Sequence, residues 1–153
     1  MPSKLLYTLL ALALLGGMAY FAWTNPSYQR AFEAKWYIVT GDYETAYALA
    51  DEAYRLDPYN RLSLSVMTQA KAARQYVAYL KEGSEYLHRI ERIVEKRPLS
   101  DADRVRIKLM CEVMIEAYRQ LPDPRFVDPE LAERAKRRHD EFVTLYASLF
   151  KQK

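Results

Sequence analysis

The chain has 153 residues, of which half are hydrophobic and 13% are aromatic. This composition excludes a disordered polypeptide, and the length is sufficient for one helical domain with a modest core behind an N-terminal segment. Beyond Trp23 the chain has 22 basic and 20 acidic residues, so this part lacks the positive excess that is typical of nucleic-acid-binding domains. The single cysteine, Cys111, excludes an intrachain disulfide and is expected to be a small buried residue.

The first element is an uncharged segment of nineteen residues, 5–23. As a helix rising about 1.5 Å per residue it spans roughly 28 Å, close to the hydrocarbon thickness of a bilayer. Aromatic rings at its far end favour the headgroup level. Residues 1–24 are therefore predicted to form a membrane anchor, whose lipid-contacting side chains include Leu5, Leu9, Leu12, Leu15, Tyr20 and Trp23.

A cleaved signal peptide is the alternative interpretation of the same segment. Lys4 and the apolar residues 5–15 precede Gly17-Met18-Ala19, which has the small-x-small pattern of a cleavage site. The apolar run continues to Trp23, which favours a retained anchor.

The orientation of the anchor rests on few charges. Lys4 lies on one side, and Arg30 and Lys35 lie on the other. A short basic start before a signal-like apolar core typically stays in the cytoplasm. The predicted location is thus a bacterial inner membrane, with a single pass and the C-terminal domain in the periplasm.

Residues 25–153 contain capping and helix-breaking residues at intervals that suit helices. They show no alternation of polar and apolar residues that would predict strands. Ser27 is predicted to cap a helix over 28–40, and a second helix is predicted over 43–57. Gly41-Asp42 separates the two helices.

The segment 25–58 resembles a tetratricopeptide repeat (TPR), with the helix pair over 27–58. The matching residues are Tyr37, Gly41, Asp42, Tyr43, Ala46, Ala53, Leu56 and Pro58. Arg30 and Glu33 depart from the pattern, since they stand where the repeat prefers Trp and Leu. No second copy follows at the same period, so the later helices are expected to complete the core.

The later segments predict three or four helices. The apolar spacing over 61–97 continues across Gly83, which indicates one long helix or two coaxial helices that meet there. Ser100 with Asp103 predicts a capping box for a helix over 100–121, and Asp128-Pro129 opens a helix over 128–151. The apolar positions assigned to the helix over 100–121 are Val105, Leu109, Val113, Ala117 and Leu121, and those facing inward on the last helix are Leu131, Ala135, Phe142, Leu145, Tyr146 and Leu149.

The predicted fold class is all-α: an N-terminal transmembrane helix followed by an antiparallel helical array that is TPR-like at its start.

No residue pattern indicates catalysis. His88 and His139 have charged neighbours, and neither lies three or four residues from another histidine or cysteine, so no metal site is predicted. The carboxylates are scattered, and neither a glycine-rich phosphate loop nor a Gly-x-Ser-x-Gly motif is present. The sequence predicts no enzyme, no catalytic residue and no cofactor.

The thirteen tyrosines indicate a binding surface, because tyrosine is enriched in interfaces. The TPR resemblance implies a short groove lined by first-helix residues. The predicted partner-binding residues are Arg30, Glu33, Tyr37, Tyr47, Tyr54, Tyr79 and Tyr86. A basic cluster on the last helix is predicted to be a solvated face, with anionic lipid or an acidic partner as the alternative; it comprises Arg134, Lys136, Arg137, Arg138 and His139.

These expectations favour a non-catalytic, membrane-anchored scaffold or adaptor within a bacterial envelope complex. Its partners would be other protein subunits, the membrane through residues 5–23, and a second copy in a homo-oligomer. The alternatives are a cytosol-facing membrane receptor for peptides or targeting signals, and a small enzyme or enzyme regulator with an unrecognised site.

Overall fold

The computed structural model describes residues 2–96 and 98–150, and all regular structure within them is helical. The elements are α1 (Pro2–Thr24), α2 (Pro26–Thr40), α3 (Tyr43–Leu56), α4 (Arg61–Val94), α5 (Asp101–Arg119), a 3₁₀ turn (Pro124–Phe126) and α6 (Pro129–Phe150). The all-α prediction is confirmed. Two predicted boundaries, residues 97 and 151, lie outside the described residues.

The chain divides into two compact units, residues 1–70 and 71–153, and helix α4 contributes to both.

Helix α1 is long and apolar enough to cross a membrane. The qualifying stretch, Lys4–Thr24, has 21 residues, a mean hydropathy of 1.9 and no buried residue. A signal sequence near an N-terminus has the same properties. The structure therefore shows a candidate membrane span, as the sequence predicted.

Asn25 separates α1 from α2. Its extended backbone (φ −83°, ψ 117°) interrupts the helix, and its side-chain oxygen accepts a hydrogen bond from the Ser27 N–H at 2.9 Å. Pro26 follows at the first helical position, where its missing N–H costs no hydrogen bond. The prediction that Ser27 caps this helix is wrong, because Asn25 takes that role and leaves the Ser27 hydroxyl for the interior.

The Ser27 hydroxyl joins three helices. It donates to the Ala53 carbonyl at 2.8 Å and accepts from Asn60 Nδ2 at 2.8 Å, and both side chains are fully buried. Asn60 Oδ1 in turn accepts from the N–H groups of Leu62 and Ser63 in the first turn of α4. The beginning of α2, the end of α3 and the beginning of α4 are thus held together, and α2 and α3 run antiparallel.

Alanines line the contact between α2 and α3. Gly41, in the left-handed region at φ 83°, ends α2, and Asp42 accepts from the Thr45 N–H at 3.1 Å to begin α3. Hydrogen bonds from Thr45 hold the pKa of Asp42 below its usual value. Small side chains let the axes of two helices approach closely. Five alanines of α2 and α3 are fully buried: Ala31, Ala34, Ala46, Ala50 and Ala53.

Helix α4 is continuous across Gly83, which decides between the two alternatives for this segment. A Cβ atom at Gly83 would lie 3.0 Å from Arg138 Cγ and 3.3 Å from Met114 Cε. The glycine therefore marks a close approach of α4 to α5 and α6 rather than a break.

Helix α5 buries a different row from the one that the sequence indicated. The capping box of Ser100 and Asp103 is present as predicted. Its fully buried residues are Ile107, Cys111 and Met114, whereas Val105, Leu109 and Val113 are 48 to 56% exposed. Two apolar rows at helical spacing lie on this helix, and periodicity alone does not say which one faces the core. On α6, the inward positions Leu131, Ala135 and Phe142 are buried as predicted.

We expect Ser27→Ala to lower the free energy of unfolding by about 1–3 kcal/mol, because it removes the acceptor of the buried Asn60 amide and one of the two hydrogen bonds that the Ala53 carbonyl accepts, the other coming from the Asp57 N–H. The measurement is urea unfolding of the full chain in detergent, followed by circular dichroism. Ser65→Ala, an exposed serine of α4, is the matched control and is expected to change stability by less than about 0.5 kcal/mol. Equal effects of the two substitutions would contradict the role of the junction.

Candidate interaction surfaces

Helix α2 carries large apolar side chains on the side opposite to its buried alanines. Phe32, Trp36 and Val39 are 57 to 73% exposed. At 100° per residue they project away from the face that contains Ala31 and Ala34. These three residues are called the α2 outer row.

A second exposed row follows α5. Val105, Leu109 and Val113 recur every four residues and therefore project from one side of the helix. Lys108 and Glu112, which form an i,i+4 ion pair at 3.8 Å, flank the row. These three apolar residues are called the α5 outer row.

The predicted groove residues lie together on another side of α2. Arg30 pairs with Glu33 at 3.1 Å and with Glu52 of α3 at 3.2 Å, and Tyr37 is half-buried. Because one guanidinium is shared by two carboxylates, Arg30, Glu33 and Glu52 together carry a formal net charge of −1. Arg30, Glu33 and Tyr37 lie on one side of α2 by their helical spacing, and their role in binding stays a prediction.

The predicted tyrosines differ in accessibility. Tyr47 and Tyr54 on α3 and Tyr86 on α4 are half-buried, and the Arg89 guanidinium carbon lies 5.6 Å from the Tyr86 ring centroid. Tyr79, in contrast, is only 4% exposed. It is a core residue, so its assignment to a binding surface is wrong.

Tyr79 belongs to an aromatic cluster in the second unit. Its ring lies 5.9 Å from that of Tyr118, which stacks on His139 at 4.4 Å. The Tyr79 hydroxyl has no hydrogen-bond partner among the described residues, and burial raises its pKa. His139 thus takes part in ring packing rather than in a surface site.

No metal-binding group appears among the described residues, where three His, Cys, Asp or Glu side chains never converge. His88 lies at the surface, 3.2 Å from Glu91. The expectation that the protein holds no metal stays a prediction.

Part of the basic cluster on α6 borders a polar cleft of about 160 Å³. Arg138 donates to Ser84 Oγ at 3.2 Å and pairs with Glu141 at 3.1 Å, and Arg137 pairs with Glu133 at 3.7 Å. These cations are largely occupied by neighbours in the same chain, which favours a solvated structural face. The remaining lining residues are Leu80 and Arg134.

Comparison of the chain with protein-family models, with curated protein sequences and with solved structures gave no match. The TPR resemblance and the function that it implies therefore remain predictions.

Sequence reasoning did not identify the two outer rows, because it took Val105, Leu109 and Val113 as the apolar side of the helix over 100–121 and did not separate the small from the large apolar residues of α2. A usable signal was present in α2: the alanines 31 and 34 form one row, and the large residues 32, 36 and 39 form another. Small residues favour close helix contact, so the row of large residues was the one to expect outside.

Burial determines the behaviour of Cys111. The thiol is inaccessible, and desolvation raises its pKa to about 11. At pH 8 we expect maleimide labelling of the native chain to be at least about 100-fold slower than in urea, because roughly one thiol in a thousand is ionised and the sulfur is covered. Mass spectrometry of timed samples measures the rate.

The control for this labelling is an exposed thiol, S65C in a C111A background, which should react rapidly without urea. Because its pKa is raised, the Cys111 thiol is more strongly held in the neutral form in the folded protein than in the unfolded chain. The resulting stabilisation of the fold is present below pH 9 and is lost as the pH rises towards 11. Rapid native labelling of Cys111 at pH 8 would contradict the burial.

Proposed function

We propose that this protein is a non-catalytic, membrane-anchored helical scaffold that binds another protein through the α5 outer row. The observation that carries the proposal is the exposure of Val105, Leu109 and Val113 on a helix whose opposite side is fully buried. An apolar row of this kind suits a partner helix, which would lay its own apolar side against it.

The row is sufficient for a modest interaction. It extends over nine residues, about 12 Å along the helix. Full burial of a valine or leucine side chain contributes about 1.5–3 kcal/mol, and roughly half of each is still available, so the row offers on the order of 3 kcal/mol before the entropy cost of association. Confinement of both proteins to one membrane raises their effective concentration and offsets the weak contact.

The charges beside the row would fix the orientation of the partner. Lys108 and Glu112 place opposite charges on one flank, and a partner helix with complementary charges would gain specificity from this arrangement rather than much affinity.

We further propose that α1 is retained as the anchor, and that the helices after it lie in the periplasm as part of a bacterial envelope assembly. The support is the apolar run that continues past the cleavage-like site, together with Lys4 before it.

Photo-crosslinking from within α5 tests the binding surface. With benzoylphenylalanine in place of Leu109, we expect a crosslinked product of discrete mass in the membrane fraction of the native host, because the row is covered by a partner. The same group in place of the exposed Lys136 on α6 is the control and should give none. A product of twice the chain mass would identify the partner as a second copy. No product at Leu109, or equal products at both positions, would contradict the proposal.

Paired substitutions separate binding from folding. Leu109→Ser should remove the crosslink from a photoreactive group at Val113 while changing the free energy of unfolding by less than about 0.5–1 kcal/mol, because Leu109 is exposed. Met114→Ala, at a fully buried position, should cost about 2–5 kcal/mol. If Leu109→Ser destabilised the chain as strongly as Met114→Ala, the row would belong to the core.

Topology reporters test the location. A phosphatase fused after residue 153 is expected to be active in the carbonate-resistant membrane fraction, since it folds only outside the cytoplasm. A fluorescent protein that folds only in the cytoplasm is expected to be dark at the same position. The reverse result would favour the cytosol-facing receptor, and loss of residues 1–19 from the intact mass would show cleavage.

A further inference from the structure

Helix α2 begins one residue after the candidate membrane span and presents the outer row Phe32, Trp36 and Val39 to its surroundings. We propose that this row is inserted into the interfacial layer of the same bilayer that α1 enters, so that α2 is a membrane-surface helix. The proposal rests on the anchor role of α1 and is independent of the α5 outer row.

The junction places the end of α1 on the outer-row side of α2. The ring of Phe21 meets the ring of Tyr28 edge-on, with centroids 6.1 Å apart, and the Gln29 side chain donates to the Trp23 carbonyl. Tyr28 and Gln29 lie four and three residues before Phe32, and so stand at the beginning of the same row. The α1 helix therefore leaves α2 from the side that carries the exposed apolar residues.

The row also begins close to the predicted membrane surface. Phe32 lies nine residues after Trp23, which at about 1.5 Å per helical residue corresponds to roughly 14 Å along the chain. The headgroup region adds about 5–7 Å on each side of the hydrocarbon. The row therefore reaches the interfacial layer when α2 lies along the bilayer surface instead of continuing the line of α1.

The chemistry of the row suits that layer. Tryptophan and phenylalanine favour the boundary between acyl chains and headgroups, and Trp23 and Tyr20 at the end of α1 supply the same kind of side chain. The single carboxylate of α2, Glu33, pairs with Arg30 and lies on another side of the helix. Lys35, the other charged residue beside the row, donates to Gln69 Oε1 of α4 at 3.0 Å. The three side chains of the row are themselves uncharged, so their insertion buries no formal charge.

The two tryptophans of the chain, Trp23 and Trp36, make the proposal measurable. The full-length variant W23F leaves Trp36 as a reporter of the row, and W36F leaves Trp23 as a reporter of the anchor. The variant A48W in a W23F, W36F background is the aqueous control, because Ala48 is exposed on α3 opposite to its buried alanines. All three are reconstituted in phosphatidylcholine–phosphatidylglycerol vesicles, with bromine at a shallow or a deep acyl position.

We expect shallow bromines to quench the emission of Trp36 at least twofold more strongly than that of the A48W indole. We also expect Trp36 to be quenched more by shallow than by deep bromines, and to be at least twofold less accessible to acrylamide than the control. Trp23 should be quenched by the bromolipids as well. This combination would establish that both the anchor and the row contact lipid.

Three results would overturn the proposal, and each has a different meaning. If Trp23 is quenched by bromolipid while Trp36 behaves like the control, the anchor stands and the row faces water. If Trp36 is shielded from both acrylamide and bromolipid, protein covers the row. If neither tryptophan is quenched by bromolipid, α1 is not in the bilayer, and the anchor fails together with the inference.

Discussion

The first unit depends on one buried hydrogen-bonded junction. Ser27 connects the Ala53 carbonyl at the end of α3 to the Asn60 amide, and Asn60 also satisfies free N–H groups at the beginning of α4. Polar groups without partners are costly inside a protein, so this set favours one register of the three helices over arrangements that leave any member unpaired. The junction also explains why Asn25, rather than Ser27, caps α2. A serine that capped its own helix would not be available to the other two.

The small size of the interior side chains has a consequence for the exterior. Five alanines occupy the contact between α2 and α3, and they bring the helices close together but bury little apolar area per residue. The large apolar residues of α2 are consequently left on the opposite side. An exposed row containing Phe32 and Trp36 is unfavourable in water, so a surface that covers it, such as a lipid interface, would also stabilise a unit whose own core is modest.

The sequence was sufficient to predict where the helices begin and end, but it was insufficient to predict which face of each helix is buried. Caps and breakers such as Gly41, the Ser100 capping box and Pro129 placed the boundaries within a few residues, because these signals act locally. The buried face of α5 was not predictable from such local signals. Its rows at Val105 and Ile107 have the same period and similar hydropathy, and packing against α4 and α6 selects between them. The burial of Tyr79 and the continuity of α4 across Gly83 likewise depend on contacts with residues far along the chain, Tyr118 and Arg138. Of the predicted binding residues, the structure grouped Arg30, Glu33 and Tyr37, and it placed Tyr79 in the core.

A membrane-attached scaffold does not need a large interface. Two molecules confined to one bilayer meet at an effective concentration far above that in solution, so the proposed contact through the α5 outer row would hold a partner that the row would release in solution. In such a weak and narrow contact the flanking charges of Lys108 and Glu112 would select the partner, because a mismatched charge cancels much of a small apolar gain. If α2 rests on the lipid, the first unit has few orientations relative to the membrane, and fewer orientations lower the entropy cost of any contact that this unit makes. The proposed anchor and surface helix would then act through one physical effect, the restriction of motion of the first unit before a partner arrives.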